Sequence, residues 1–483
     1  MIEVGNYIGG AHAAGLGTLS LTSSAPDSGD PLATLVDSRE ADVDAAVGAA
    51  RRALRGEWGR WTPMQRNALL TRVADLVDER YDELARLDSQ EYGGPITRTR
   101  ANRARVVGLL RYYAGLALQL EGHTVNVSTP GDHHVFTTRQ PAGVVAAIVP
   151  WNGPIGSLIW KVAPALAAGC TVVAKPSEYS SLSALRVAEY VTEAGAPDGV
   201  FNVVTGAAET GRILVGHEGV DHIAFTGSSN AGKAIAATAG AQLKTYTLEL
   251  GGKSANIVFA DADLGAAARG SVAAAFQNSG QICSAGSRLF VHESIVDEFL
   301  ERMNRQIAGM RVGFSLDETT DFGPLATAAQ AATVDTLLEG AVAQGARIHR
   351  FDVRVDERLH REMGNFRLPV ALVETTDDMA VNRREIFGPV VSVLPFSSEE
   401  EVIERSNAGD FGLAAGLWTS DVDRALRVSR ALEAGTVWVN CWQNLDVAAP
   451  FGGVKDSGVG RESGVEHILS FTRTKTTWMA FRG

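Results

Sequence analysis

Along this chain, short apolar runs of strand length alternate with longer stretches of helical period. Val43, Val47 and Leu54 recur at helical spacing after Ser38, which is expected to cap that helix. Thr62-Pro63-Met64-Gln65 reads as a capping box with proline in the first turn, and Leu69, Leu70, Val73, Leu76 and Val77 mark the buried face that follows. From about residue 140 the rhythm tightens. Strands are expected at 144–149, 171–174, 201–204 and 223–225, with helices at 155–168, 183–194, around Ile213 and Leu214, and at 231–239. Such alternation builds βαβ units on a parallel sheet, an α/β architecture that binds nucleotides at the carboxyl ends of its strands. The pattern restarts after Gly251-Gly252 with a strand at 256–259 and a helix at 266–277, so a domain boundary is placed there.

Two segments break the rhythm. Residues 123–140 alternate polar and apolar positions around the turn signal Pro130-Gly131-Asp132, which reads as a protruding hairpin. Residues 469–481 are extended and rich in threonine. Strand edges left unpaired invite a second copy of the chain, so a homodimer or homotetramer is expected.

Composition narrows the classes. A chain of 483 residues exceeds one ordinary core, so two or three lobes are expected. Its net charge of −12 repels phosphate backbones and anionic lipid, so neither a nucleic acid nor a membrane is an expected partner. The opening residues lack the basic-then-apolar order of a secretory signal, and the apolar stretches 142–149 and 162–174 are too short to span a bilayer. Three cysteines without CxxC spacing indicate neither a disulfide framework nor a metal site, and a reducing cytoplasm is the expected location.

The chemistry concentrates in a few loops. Cys283 lies in Gly280-Gln281-Ile282-Cys283-Ser284-Ala285-Gly286, where small neighbours let a ligand approach. It reads as a nucleophile or as a small core thiol, whereas Cys170 and Cys441 have the apolar surroundings of core thiols. Glu249, between Leu248 and Leu250 at the end of an apolar strand, is a desolvated general base or an edge glutamate paired with Lys253. Asn152 in Pro150-Trp151-Asn152-Gly153-Pro154 is an oxyanion donor or a self-satisfied turn residue. The 225–233 segment, Phe-Thr-Gly-Ser-Ser-Asn-Ala-Gly-Lys, offers backbone N–H groups to a phosphate. It nearly matches a P-loop, but Ala234 replaces the hydroxyl that would ligate magnesium. Lys175 and Glu178, after the second strand, read as ribose ligands or as solvated surface charges.

Taken together these segments resemble the aldehyde dehydrogenase superfamily over nearly the whole chain. PWN at 150–152, KPSE at 175–178, FTGS at 225–228, ELGGK at 249–253, GQxC at 280–283, EIFGPV at 385–390 and FGGxKxSGxGRE at 451–462 occur in the family's order. The resemblance implies a variant Rossmann cofactor domain (1–121 and 141–251), a related α/β catalytic domain (252–455) and a small β bridging or oligomerisation domain (122–140 and 456–483). It implies Cys283 as nucleophile, Asn152 as oxyanion donor, Glu249 as general base, and Lys161 and Glu462 as the pair that carries protons away. Lys175, Glu178 and Ser177 are implied at the adenosine ribose, Ser228 and Gly227 at the pyrophosphate, and Glu385, Phe387, Trp151 and Gly251 near the nicotinamide. Gly153, Trp160, Ile282 and Leu445 match positions on the substrate path.

The implied reaction oxidises an aldehyde to its acid through a thioester on Cys283, with no metal. Glu178 accepts from ribose hydroxyls and opposes a 2′-phosphate, which favours NAD, with NADP the other possible cofactor. Gly153 stands where many members carry a larger side chain, so a bulky or apolar aldehyde, aromatic or medium-chain, is expected. Arg384 precedes Glu385 where a second glutamate is common, but the ribose ligand itself is kept. Two other chemistries remain: acyl transfer to CoA, which the presence of Glu249 disfavours, and nonredox ester hydrolysis on Cys283.

Overall fold

The computed structural model describes residues 2–17, 19–360 and 363–481. Two large sheets organise it. In the first, the strands Gly458–Val459, Thr245–Glu249, His222–Thr226, Val144–Ile148, Thr171–Lys175, Phe201–Val203, Asn6–Ile8 and Ala11–Ala13 lie side by side in that order. The five central strands run parallel and the outer ones antiparallel. Along Val144–Ile148, alternate residues enter two cores: Val145 and Ala147 pack with Leu69, Leu70 and Val73, while Val144 and Ala146 pack with Val43, Ala46 and Val47. A sheet covered on both faces is why these strands read as unbroken apolar runs.

The second sheet orders Arg347–Arg350, Val370–Val373, Val390–Phe396, Arg288–His292, Ala255–Val258, Ala414–Trp418 and Thr436–Val439, parallel except at its first strand. It begins just beyond Gly251-Gly252. A third sheet is small and antiparallel: Thr472–Ala480 pairs with His133–Pro141, which pairs with Thr124–Val125. Sheet pairing thus joins the expected hairpin to the expected C-terminal strand. The short antiparallel edge strand Gly458–Val459 lies instead in the first sheet.

The capping box forms as expected, with Thr62 Oγ1 accepting from Gln65 N at 3.3 Å and Gln65 Oε1 accepting from Thr62 N at 2.8 Å. Ser38 does not cap its helix. That helix runs Glu40–Arg55 with Arg39 at the cap position, and Asp42 accepts the Arg39 N–H at 3.2 Å. Ser38 Oγ instead donates to Asn6 Oδ1 at 3.0 Å, a tertiary tie to a neighbouring strand. Among the described residues no helix is long and apolar enough to cross a membrane, and no His, Cys, Asp and Glu group could hold a metal ion.

Candidate active site

Cys283 is presented by backbone that side chains rarely adopt. The helix Leu264–Phe276 ends, and Asn278, Ser279 and Gly280 follow with φ of 56°, 53° and 74°. Consecutive left-handed residues persist only when their surroundings hold them. Here Ser279 Oγ donates to Gly323 O at 2.8 Å, Asn278 Nδ2 donates to Asn152 O at 3.2 Å, and Gln281 Oε1 accepts from Ala326 N at 2.9 Å. A Cβ at Gly280 would fall 2.0 Å from Gly388 O, and one at Gly252 would fall 2.3 Å from Cys283 O. The strand end that carries Glu249 can therefore lie directly against the thiol loop.

Two contiguous cavities lead to Cys283 over the carboxyl ends of the first sheet. The outer one, about 600 Å³, is bordered by Lys175, Ser177 and Glu178; the inner one, about 260 Å³, by Gly251, Cys283, Glu385 and Phe387. Trp151, Gly227 and Ser228 border both. Ser228 caps the helix Ser229–Ala241, accepting from Ala231 N at 3.3 Å, so a helix N-terminus faces the middle of the groove. Any side chain at Gly227 would meet the Phe225 ring.

At the far end, Lys175 lies 3.6 Å from Glu178 and Ser177 Oγ donates to Glu178 at 3.3 Å. At the near end, Glu385 accepts from Gly252 N at 3.1 Å, and burial pushes its carboxyl up to about 7. Gln330 Nε2 donates to Ile386 O and Phe387 O, which fixes Phe387 edge-on to Trp151 at 5.3 Å. A groove with carboxylates at both ends to accept from hydroxyls and a helix N-terminus at its centre is one that a dinucleotide fits. Lys233, the lysine of the P-loop-like run, is held by Asp456 at 2.5 Å outside this groove.

On the other side of Cys283 lies a cavity of about 250 Å³ bordered by Asn152, Gly153, Trp160, Glu249, Ile282 and Leu445. Glu462 also reaches it and forms a short ion pair with fully buried Lys161. Among the described residues Glu249 makes no pair with Lys253, and its Oε2 is buried without a hydrogen-bond partner. Burial, then the neighbouring Glu462, raises its carboxyl well above the ordinary range, against the pull of Lys161 and Arg461. Burial also pushes the Cys283 thiol up to about 12, reinforced by Glu385 and Glu249. Asn152 Nδ2 donates to Gln281 O at 2.8 Å and keeps a second N–H. Cys170 is fully buried in the core, whereas Cys441 is half-buried rather than the core thiol expected.

The sequence reading singled out neither Arg98 nor Arg105, yet both border this cavity. The signal available was spacing: Arg98, Asn102 and Arg105 recur at i, i+4 and i+7, one face of a helix.

The model of the Aldehyde dehydrogenase family matches residues 17–477. Among solved structures, the chain is similar to an aldehyde dehydrogenase of Bacillus cereus in complex with NAD+ (39% identity, TM-score 0.94, covering 99% of this chain and 97% of that one). It is similar to an NAD-dependent aldehyde dehydrogenase of Sinorhizobium meliloti (37%, 0.93, 99% and 95%). It is also similar to betaine aldehyde dehydrogenase of Staphylococcus aureus in complex with NAD+ (33%, 0.94, 99% and 94%).

Proposed function

Because the chain belongs to the aldehyde dehydrogenase family, we propose that it oxidises an aldehyde to the carboxylic acid with NAD, through a thiohemiacetal and then a thioester on Cys283. The observation that carries this reading is the position of Cys283, which borders both the inner end of the groove and the cavity beyond it. Lys175, Ser177 and Glu178 would hold the adenosine ribose, Gly227 and Ser228 the pyrophosphate, and Trp151, Gly251, Glu385 and Phe387 the nicotinamide end.

Burial holds the sulfur as a thiol, and its proton leaves to water as the bond to the carbonyl carbon forms. The second N–H of Asn152 donates to the oxygen as it becomes negative; a donor already fixed in place needs no reorganisation at that moment. NAD, when bound, supplies the acceptor for the two electrons that leave the aldehyde carbon. Glu249 then takes a proton from the water that attacks the thioester, freeing the acid and a thiolate, which takes its own proton back from water. The buried Lys161–Glu462 pair receives that proton next. In sum, aldehyde, NAD+ and water become acid, NADH and a proton.

Space around Gly153, where a Cβ would meet nothing within 4 Å, supports a bulky aldehyde, aromatic or medium-chain, with Ile282 and Leu445 as apolar wall. The open edge of Thr472–Ala480, with Trp478 and Met479 exposed, supports a homodimer or homotetramer, which sedimentation checks. Three free cysteines suit the cytoplasm.

A panel of aliphatic, aromatic and terpenoid aldehydes with NAD+ tests the reaction. NADH and acid are expected one to one without CoA. A CoA requirement, or ester hydrolysis with no aldehyde-dependent NADH, would replace this reading with acyl transfer or thiol esterase chemistry. Glu178→Gln is expected to raise the NADP/NAD ratio of kcat/KM roughly tenfold by removing a charge that opposes a 2′-phosphate. An unchanged ratio removes Glu178 from cofactor choice.

A further inference from the structure

We infer that the aldehyde carries a carboxylate at its other end, gripped by Arg98 and Arg105 in the wall of the cavity beyond Cys283; this rests on the oxidation proposed above. Four arginines crowd residues 98–105 and divide by helical face. Arg100 pairs with Asp82 and Glu318, and Arg103 pairs with Asp78, all on the surface. Arg98 and Arg105 face the cavity with Asn102 between them, whose φ of −69° and ψ of −11° carry the helical path from Ile96–Ala101 into Arg103–Leu116.

Among the described residues neither inward arginine has an ion pair, and the Nε of each is buried without a hydrogen-bond partner. Gln443 Nε2, on the same cavity, is likewise buried without an acceptor. Arg98 reaches the Tyr92 hydroxyl, and Glu462 offsets the burial of Arg105 only in part. Glu462 is committed to Lys161, and Glu249 is held toward its neutral form by burial. Burial lowers the pKa of both guanidinium groups, and Arg98 lowers that of Arg105 further. Two like charges half-withdrawn from water with no carboxylate of their own are costly, and an anion in the cavity offsets that cost.

Arg105 is also built into place. Its guanidinium lies over the Trp160 ring at 5.1 Å, and a Cβ at Gly156, one turn earlier, would come within 3.0 Å of its Nη2. Trp160 is fixed in turn by Ser463, whose Oγ accepts its Nε1–H at 2.7 Å, and by stacking on Phe451. Planar guanidinium forks match a carboxylate. The substrate is therefore an aldehyde acid and the product a dicarboxylate.

The test compares 5-oxopentanoate with pentanal on the intact enzyme with NAD+. We expect kcat/KM to favour 5-oxopentanoate at least tenfold, carried by KM. Arg98→Gln and Arg105→Gln should each lower that preference at least tenfold, with Arg105→Lys losing less. Glutarate should slow alkylation of Cys283 in the wild-type enzyme at lower concentration than neutral pentanamide does, a readout independent of the variants. Pentanal used as well as 5-oxopentanoate, a preference surviving both glutamine variants, or equal protection by glutarate and pentanamide overturns the assignment. NADH from neither aldehyde, nor from any in the panel, sinks the oxidation reading instead, and the protection experiment still reports on the anion site.

Discussion

Replacing Cys283 with serine is expected to lower NADH formation by on the order of 10⁴-fold or more while NAD+ binding changes little. The site around the sulfur is hostile to negative charge: burial and three carboxylates push even the thiol up to about 12. A hydroxyl, far less acid than a thiol, gains nothing there that would make it a nucleophile. The groove residues are untouched, and oxygen for sulfur leaves the left-handed Asn278–Gly280 turn intact. Steady-state kinetics and a cofactor titration on the purified variant make the check. Retention of more than about one per cent of turnover would remove Cys283 from the covalent role.

Glu249→Gln is expected to give a burst of one NADH per site and then to stall, with steady-state turnover down roughly 10²- to 10⁴-fold. Glutamine is nearly isosteric, so the thioester still forms, but it takes no proton from the hydrolytic water. The pH dependence has a definite sign. A base works only when deprotonated, and Glu249 is raised by burial and by Glu462, so wild-type kcat should climb with pH above the ordinary carboxylate range and then level. The variant should lose that limb. Rapid-mixing absorbance supplies both readouts; unslowed deacylation without a burst would remove Glu249 from the hydrolytic step.

The parts of this molecule legible in its sequence are those decided by near neighbours. The Thr62–Gln65 box closes within one turn. The strand Val144–Ile148 follows from an apolar run covered on both faces, and Leu182–Glu193 and Ser229–Ala241 lie within two residues of the expected helices. Asn152, Lys175, Glu249 and Cys283 sit in short motifs whose residue types drew attention to them, whereas Gly153, Trp160, Lys161, Glu385, Phe387, Leu445 and Glu462 were marked by the family resemblance. What was not legible depends on distant partners. Ser38 had the chemistry of a cap, but Asn6 claims its hydroxyl and Asp42 takes over the Arg39 N–H. The turn at Asn278 and Ser279, just past the expected helix, is held by Gly323, Pro324 and Ala326, more than forty residues away. Arg98 and Arg105 were passed over, because only the fold shows that Asp82, Glu318 and Asp78 go to Arg100 and Arg103.

The last stretch of chain reaches back to much earlier elements. Ser463 holds Trp160, Glu462 closes on Lys161, Phe471 O accepts from Cys170, and Thr472–Ala480 zips onto His133–Pro141. During synthesis the Cys283 sulfur therefore emerges well before Glu462 and Ser463, which border or brace the cavity beside it. A chain cut near 460 would carry Cys283 yet lack Glu462 and Ser463, the residues that close on Lys161 and Trp160.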